Sequence, residues 1–396
     1  MTILNLSCQV KIYQDNAPDL AAFIQLNVQM NAGDPNYIQP LENDVRDVFN
    51  PDKNKYLKAG KIQRWLVEDA SGKKIGRIAA FVNTRYKNKG DKFKVGGIGY
   101  FDCIDDQAVA NLLFDTAKEW LAGHGMEAMD GPINLGERDR YWGLLTEGFH
   151  PPAYGLNYNP PYYEKLFVTY GWQTFYEQIC WHMPLSKHDQ LIPKFYDAHK
   201  KFDEDPTISC RHYEKSQLKK FAQDFCTVYN KAWASHQGNK EMTSAQGIKT
   251  FEMMKPIIDK YLIWFVYKND EPVAMWLNLP DLNQVFKRFN GKFHLINKLR
   301  FLWLKNKKVF TKLVGLAYGV IPEFQGTGID YYMIVEGERA IKKYTNYNLL
   351  ELQWQGDFNP KMLNISKNIG AQKYRTLKTM RYIFDRSVPF ERHPIL

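Results

Sequence analysis

The stretch Gly319-Val320-Ile321-Pro322-Glu323-Phe324-Gln325-Gly326-Thr327-Gly328-Ile329-Asp330 constrains this chain more than any other. Lys312 to Ile321 ahead of it reads as a strand, with Val314, Leu316, Val320 and Ile321 apolar. Ile329 to Tyr344 after it reads as a helix, apolar at Met333, Ile334, Val335, Ala340 and Ile341 and charged at Glu336, Glu338, Lys342 and Lys343. Gly326 and Gly328 allow positive φ in the tight turn between them. Amide hydrogens of such a turn, with the positive end of the helix dipole, form a seat for a phosphate or pyrophosphate.

The turn resembles the pyrophosphate signature of the GNAT acyltransferase superfamily, Gln/Arg-x-x-Gly-x-Gly/Ala between a strand and a helix. Gln325 and Gly328 match, with Val320 and Pro322 ahead of them. The resemblance implies that Val320, Gln325, Gly326, Thr327, Gly328, Ile329 and Asp330 hold acetyl-CoA or another acyl-CoA. Asp330 replaces the last Gly/Ala. A carboxylate about 6 Å from a phosphate charge costs roughly 3 kcal/mol at an effective dielectric of about 20; the other role for Asp330 is to cap the helix. Downstream, Asn348 to Gln355 reads as a strand. The segment Asn359 to Ala371 resembles the family's Asn-x-x-Ala-x-x-Leu-Tyr-x-x-x-Gly-Phe helix through Asn359, Met362, Ile365 and Gly370. Asn359 suits an N-cap beside the cofactor and Gly370 a C-cap. Ser366 stands where the family carries the Tyr that reprotonates the thiolate.

The first half carries the same element order. Leu4 to Tyr13 reads as a strand, and Pro18 to Met30 and Gln39 to Phe49 as helices. Gln63 to Asp69 and Lys74 to Val82 form a hairpin, followed by a strand from Val95 to Ile104, a helix from Asp105 to Gly123 and a strand from Gly125 to Ile133. Asn159 to Trp172 is similar to the family's later helix, and Phe175 to Met183 returns as a strand. Where the first half should seat a pyrophosphate it carries Asp102, Asp105 and Asp106 and no glycine, so this copy reads as having lost its cofactor seat. Roughly 200 residues on, the order repeats from Thr207. The fold class is therefore α/β with a mixed sheet, in two tandem GNAT-like units: 1–185, a connector at 186–206 holding a helix from Gln190 to Lys201, and 207–396.

Two insertions break the repeat. The first, between Asn134 and Asn159, is long, irregular and aromatic, which argues for function rather than disorder. Arg138, Arg140, Trp142, Tyr158 and Tyr163 are its candidate substrate-binding residues; alternatively the aromatics pack the loop down and the arginines pair with Glu137 and Asp139. The second, Asp281 to Lys308, interleaves eight Lys and Arg with Phe, Leu, Ile and Trp. Such a segment rests on an anionic membrane surface, grips RNA, or packs its apolar stripe inward with lysines to water.

Acyl transfer to an amine needs a base for the nucleophile and an acid for the thiolate. Glu351 on the fifth strand is the candidate base, its other role being an ion pair with a basic residue; Ser366 and Tyr318 are the candidate acids. The net charge of +10 favours polyanionic partners. Five scattered cysteines without ligand spacing suggest a reducing cytoplasm, and neither a signal peptide nor an apolar run of membrane length is present. No His-x-x-x-His or Cys-x-x-Cys metal pattern occurs, nor a motif for specific nucleic-acid reading. The sequence points to an acyl-CoA-dependent N-acyltransferase acting on a small-molecule or peptide amine. The alternatives are a Fem-like transferase using aminoacyl-tRNA, whose donor has no pyrophosphate to seat, and a non-catalytic ligand-binding protein.

Overall fold

The structure is a computed structural model and describes residues 9–13, 17–135, 138, 140–185, 191–233 and 241–396. The first half runs β1 (Gln9–Tyr13), α1 (Ala17–Met30), α2 (Glu42–Val48), β2 (Gly60–Glu68), β3 (Lys74–Asn83), β4 (Val95–Cys103), α3 (Gln107–Gly123), β5 (Ala128–Gly131), β6 (Leu144–Glu147), α4 (Tyr163–Tyr170) and β7 (Gln173–Pro184). The second runs α5 (Pro193–Asp203), β8 (Ile208–His212), α6 (Leu218–Trp233), α7 (Ser244–Met254), β9 (Ile263–Lys268), β10 (Glu271–Pro280), α8 (Asn283–Phe286), α9 (Leu295–Asn306), β11 (Lys312–Val320), α10 (Ile329–Tyr344), β12 (Leu349–Gly356), α11 (Pro360–Asn368) and β13 (Gln372–Ile383). The element order predicted from sequence is present in both halves. The start of the first predicted strand and the acidic partners Glu137 and Asp139 lie outside the described residues.

Local chemistry sets the ends of these elements. The Asp106 carboxylate accepts from the amides of Ala108 and Val109 and starts α3, which buries Val109, Leu113, Phe114, Ala117 and Leu121. Thr243 and Gln246 close a capping box on α7. Asn359 accepts from the Met362 amide ahead of Pro360 and starts α11. Gly171, at φ +108°, ends α4 in the left-handed region.

The strands form one continuous sheet in the order β1-β2-β3-β4-β5-β13-β7-β12-β11-β10-β9-β8, with β6 beside β13. The halves exchange their last strands. β13 of the second half pairs with β5 of the first, and β7 of the first pairs with β12 of the second. The two exchanged strands pair with each other at the centre. Arg381 on β13 grips Asp130 on β5 through Nε at 2.6 Å and a terminal nitrogen at 2.8 Å, both side chains buried. Each half keeps its own core: Phe101, Phe114, Phe167 and Trp172 in the first, and Phe221, Phe251, Phe265 and Met333 in the second. The 134–163 insertion, read as irregular, contains a strand, because Leu144, Leu145 and Glu147 pair with β13. Among the described residues no helix is long and apolar enough to cross a membrane.

Candidate active site

The glycine turn follows β11 and opens α10 as the sequence predicts. Gly326 and Gly328 take φ of +75° and +88°, and a Cβ at Gly326 would meet nothing within 4 Å. Gln325 donates to the Val320 carbonyl at 3.1 Å and the Thr327 hydroxyl to the Phe324 carbonyl at 2.7 Å, which fixes the loop. Gly328 is the N-cap of α10 and gives no side-chain cap; the Ile329 amide donates to the Thr327 hydroxyl at 3.4 Å, a long bond that an outside anion can replace, and a Cβ at Gly328 would meet Ala198 on α5 at 3.3 Å. Asp330 does not cap the helix. Its carboxylate accepts from the Tyr318 hydroxyl at 2.7 Å. Beside Asp330, burial and this carboxylate push the Tyr318 phenol well up, so it stays a donor.

Next to the turn the sheet parts. β11 and β12 pair in parallel only over Lys312–Gly315 against Leu349–Leu352. Beyond that point β11 continues against β10 alone and β12 against β7 alone. The facing edges, Leu316 to Val320 and Gln353 to Gly356, leave backbone groups that an extended amide-bearing ligand can bond.

The first half has the matching divergence without the seat. β4 and β5 pair only over Val95–Gly97 and Ala128–Asp130. The amides at the start of α3 are taken by Asp106 itself. Of the three carboxylates read as repelling an anion, Asp102 is not at the helix start. It points inward, accepting from Arg77 Nε at 2.6 Å, from Asn27 at 3.0 Å and from the Tyr163 hydroxyl at 3.0 Å.

In this divergence lies a cavity of about 60 Å³. Its lining includes the apolar Ile24, Val28, Ile38, Val45, Leu144 and Leu156 and the polar Asn27, Tyr37, Arg77, Asp102, Tyr158 and Tyr163. Tyr37 donates to Asn27 at 2.6 Å, and Tyr158 donates to Asp34. Burial first, then Asp102, raises the Tyr37 phenol; burial and Asp34 raise Tyr158. A second space of about 210 Å³ shares Val28, Tyr37, Ile38 and Gln39 with the first and is closed by Phe286, Lys287 and Asn290 of the second insertion. Tyr37, Leu156 and Tyr158 also pack in one cluster with Val314 on β11 and Trp354 on β12, where the other divergence begins.

The structure thus brings Tyr158 and Tyr163 to the cavity and leaves three other candidates out of it. The Arg138 guanidinium lies over the Tyr86 and Trp142 rings, and its carbonyl accepts from Trp354. Trp142 is buried and donates to Tyr176 and Thr379. Arg140 stacks over Tyr154 at 5.4 Å. Glu351 is fully buried between Lys312 and Arg375, the latter at 3.1 Å, with Asp281 on the far side of Lys312. It lies on the paired part of β12, opposite Val314, before the strands diverge. This is the ion-pair arrangement of the two weighed for it. Ser366 is buried and exchanges hydrogen bonds with the Gln355 amide group at 2.8 and 2.9 Å. Reasoning from sequence missed Asn27, Tyr37, Arg77 and Asp102. A signal for the last two existed: a lone charge inside each of two apolar strand patterns.

No protein-family model matches the chain. It is 27% identical over 368 residues to "Bacterial ceramide synthase" of Caulobacter vibrioides (strain NA1000 / CB15N), spanning 91% of this chain and 94% of that one. It is 26% identical over 370 residues to "Protein YghO" of Escherichia coli (strain K12), spanning 91% and 92%. Among solved structures, a tandem GNAT protein from the clavulanic acid biosynthesis pathway aligns with a TM-score of 0.55 at 9% identity, over 97% of this chain and all of that one. The GCN5-related glucosamine N-acetyltransferase region of a fungal multi-domain β-N-acetylglucosaminidase aligns with the same TM-score at 13% identity, over 96% of this chain and 38% of that one. With its two strand divergences and its glycine turn opening α10, this chain has the fold of the tandem GNAT proteins.

Proposed function

We propose that the chain is an acyl-CoA-dependent N-acyltransferase whose acceptor is an amphiphilic amine of the long-chain amino-alcohol type. The observation that carries the donor is the α10 N-terminus, where the N-cap is a glycine at positive φ with no side chain to cap the helix and the Ile329 amide makes a long 3.4 Å bond to the Thr327 hydroxyl. In the first half Asp106 takes the equivalent groups. The pyrophosphate of the donor would sit on Gly326 to Ile329, and its amide arm along the edges of β11 and β12. The neutral amine nitrogen attacks the thioester carbonyl and forms the carbon–nitrogen bond, the carbon–sulfur bond breaks, and the proton the nitrogen loses ends on the departing thiolate.

The acceptor reading draws on the cavity, whose lining combines aliphatic side chains with carboxylate, amide and phenol groups. It draws also on the relative named a ceramide synthase, since a ceramide is an amide of a long-chain amino alcohol. Asn27, Tyr37 and Tyr158 in the lining would offer hydrogen-bond partners to an amino-alcohol head group.

Calorimetric titration with acetyl-CoA and with a long-chain acyl-CoA tests the donor. Binding to wild type and its loss in Thr327→Glu, which adds a carboxylate at an exposed position of the turn without changing φ, supports the reading. Silence with both donors, together with salt-sensitive tRNA binding, would overturn it in favour of an aminoacyl-tRNA donor.

A further inference from the structure

We propose that the outward face of α9 docks on an anionic lipid surface. The helix is amphipathic in an unusual sense. Asn297, Phe301 and Leu304 point inward and are buried, and Lys305 donates to the carbonyls of Pro256 at 2.6 Å and Ile258 at 3.2 Å. The opposite face is also apolar. Leu295, Ile296, Leu299, Leu302 and Trp303 are 45–72% exposed. At helical spacing these five form one stripe a little over two turns long, with Lys298 on one flank and Arg300 on the other. No other helix exposes more than one large apolar side chain among the described residues. Inward packing of the insertion takes up Phe286, Phe289, Phe293, Phe301 and Leu304, and leaves the five apolar side chains on the outer face of α9 uncovered.

Charge selects the occupant. Residues 282–311 hold eight Lys and Arg and no Asp or Glu. A second copy meeting this face across a two-fold axis would set positive charge on positive charge. A bilayer with anionic headgroups takes the stripe into its interface and the flanking cations at its surface.

The position of the face gives docking a use, and this step rests on the acyl-transfer reading. The insertion joins β10 to β11 at the end where Pro280 pairs with Leu313, and the glycine turn leaves β11 at the other end, where Val320 pairs with Ala274. Seven residues of strand separate them by about 23 Å. Phe286, Lys287 and Asn290, which line the 210 Å³ space adjoining the cavity, belong to the docking insertion. A bound protein would hold the cavity mouth at the lipid and the coenzyme turn toward water, so that a lipid amine and a soluble thioester enter from opposite ends.

Flotation with vesicles of phosphatidylcholine alone and of phosphatidylcholine mixed with phosphatidylglycerol tests the docking. Wild type should float with the mixed vesicles only and be released by high salt. Leu299→Ser/Trp303→Ser should lower partitioning about a hundred-fold, and Lys298→Glu/Arg300→Glu should abolish the preference for the anionic lipid. All four side chains are exposed, so melting temperature should hold, as should acyl transfer to an amine presented in detergent. Wild type that stays with the soluble fraction, or a Leu299→Ser/Trp303→Ser variant that floats as well as wild type, overturns the proposal. So does a wild-type dimer in sedimentation that this variant dissolves, which would assign the face to a second copy. A protein that floats as described yet transfers no acyl group keeps the docking and sinks the reaction.

Discussion

Tyr318 donates its hydroxyl to the carboxylate of Asp330 at 2.7 Å and so turns the one anion of the α10 start away from the helix amides. The departure from the family signature is thereby accommodated: Asp330 neither caps the helix nor faces the seat. Removing the hydroxyl in Tyr318→Phe frees the carboxylate to compete for the amides, and coenzyme A binding should weaken about three- to ten-fold. Asp330→Ala in that background should restore it. Calorimetry reads both. If Tyr318 instead delivers a proton to the thiolate, kcat falls in Tyr318→Phe while the coenzyme A affinity stays, so one variant separates positioning from acid catalysis.

The first-half seat makes the opposite prediction. The Asp106 carboxylate is a cap and no ligand is expected there. Asp106→Ala should cost about 1 kcal/mol of stability, seen as a drop of a few degrees in melting temperature, without changing coenzyme A affinity. A second binding event appearing in Asp106→Ala would mean that the cap had been masking a live site.

How much of this was legible beforehand differs by residue. The turn from Gln325 to Gly328 and the repeated element order were, because glycines, caps and apolar periodicity are local signals. The exchange of β7 and β13 was not. It depends on pairing between segments some 200 residues apart, and nothing in the pattern of Gln372 to Ile383 says which neighbours it takes. Arg381 and Asp130 mark that exchange only once they are seen together. The cavity escaped for the same reason. Asn27, Tyr37, Asp102 and Tyr158 come from four separate elements, and only Tyr158 and Tyr163 stood in a loop whose length advertised a role.

Glu351 offers the sharpest contrast between roles. Held between Lys312 and Arg375 with no exposed surface, it neutralises two buried cations. Burial pulls the Lys312 ammonium pKa down, but Glu351 and Asp281 more than offset this and hold it up. Glu351→Gln should therefore destabilise the protein by about 3–5 kcal/mol, measured by urea unfolding. A variant as stable as wild type but inactive would move Glu351 back to the role of base.

His393 ties stability to pH. It packs against Phe175, Tyr176 and Phe358, its ring 4.2 Å from that of Phe358, and its amide bonds the Phe175 carbonyl at 3.0 Å. Burial lowers its pKa below the ordinary histidine value. The unfolded chain therefore binds the proton more readily than the folded one. The contribution is complete above about pH 6.5 and is lost as pH falls through the lowered value. Thermal unfolding across this range should show stability declining toward acid, and His393→Phe should flatten that part of the profile. An unchanged slope in the variant would place the proton uptake elsewhere.

The cavity can be closed without touching the donor turn. Val28 on α1 lines both the 60 Å³ and the 210 Å³ spaces and is only partly buried, so a larger side chain there fills space that the two share along their common lining rather than a packed core. Val28→Trp should raise the KM for a long-chain amine at least ten-fold. A short amine should be affected little, since it needs only the polar lining at Asn27 and Asp102. Coenzyme A affinity should not change, because no residue of the turn from Gln325 to Gly328 lines either space. If the variant impairs long and short amines alike, the shared space is not the acceptor route; if it impairs coenzyme A binding, the two sites are not separate.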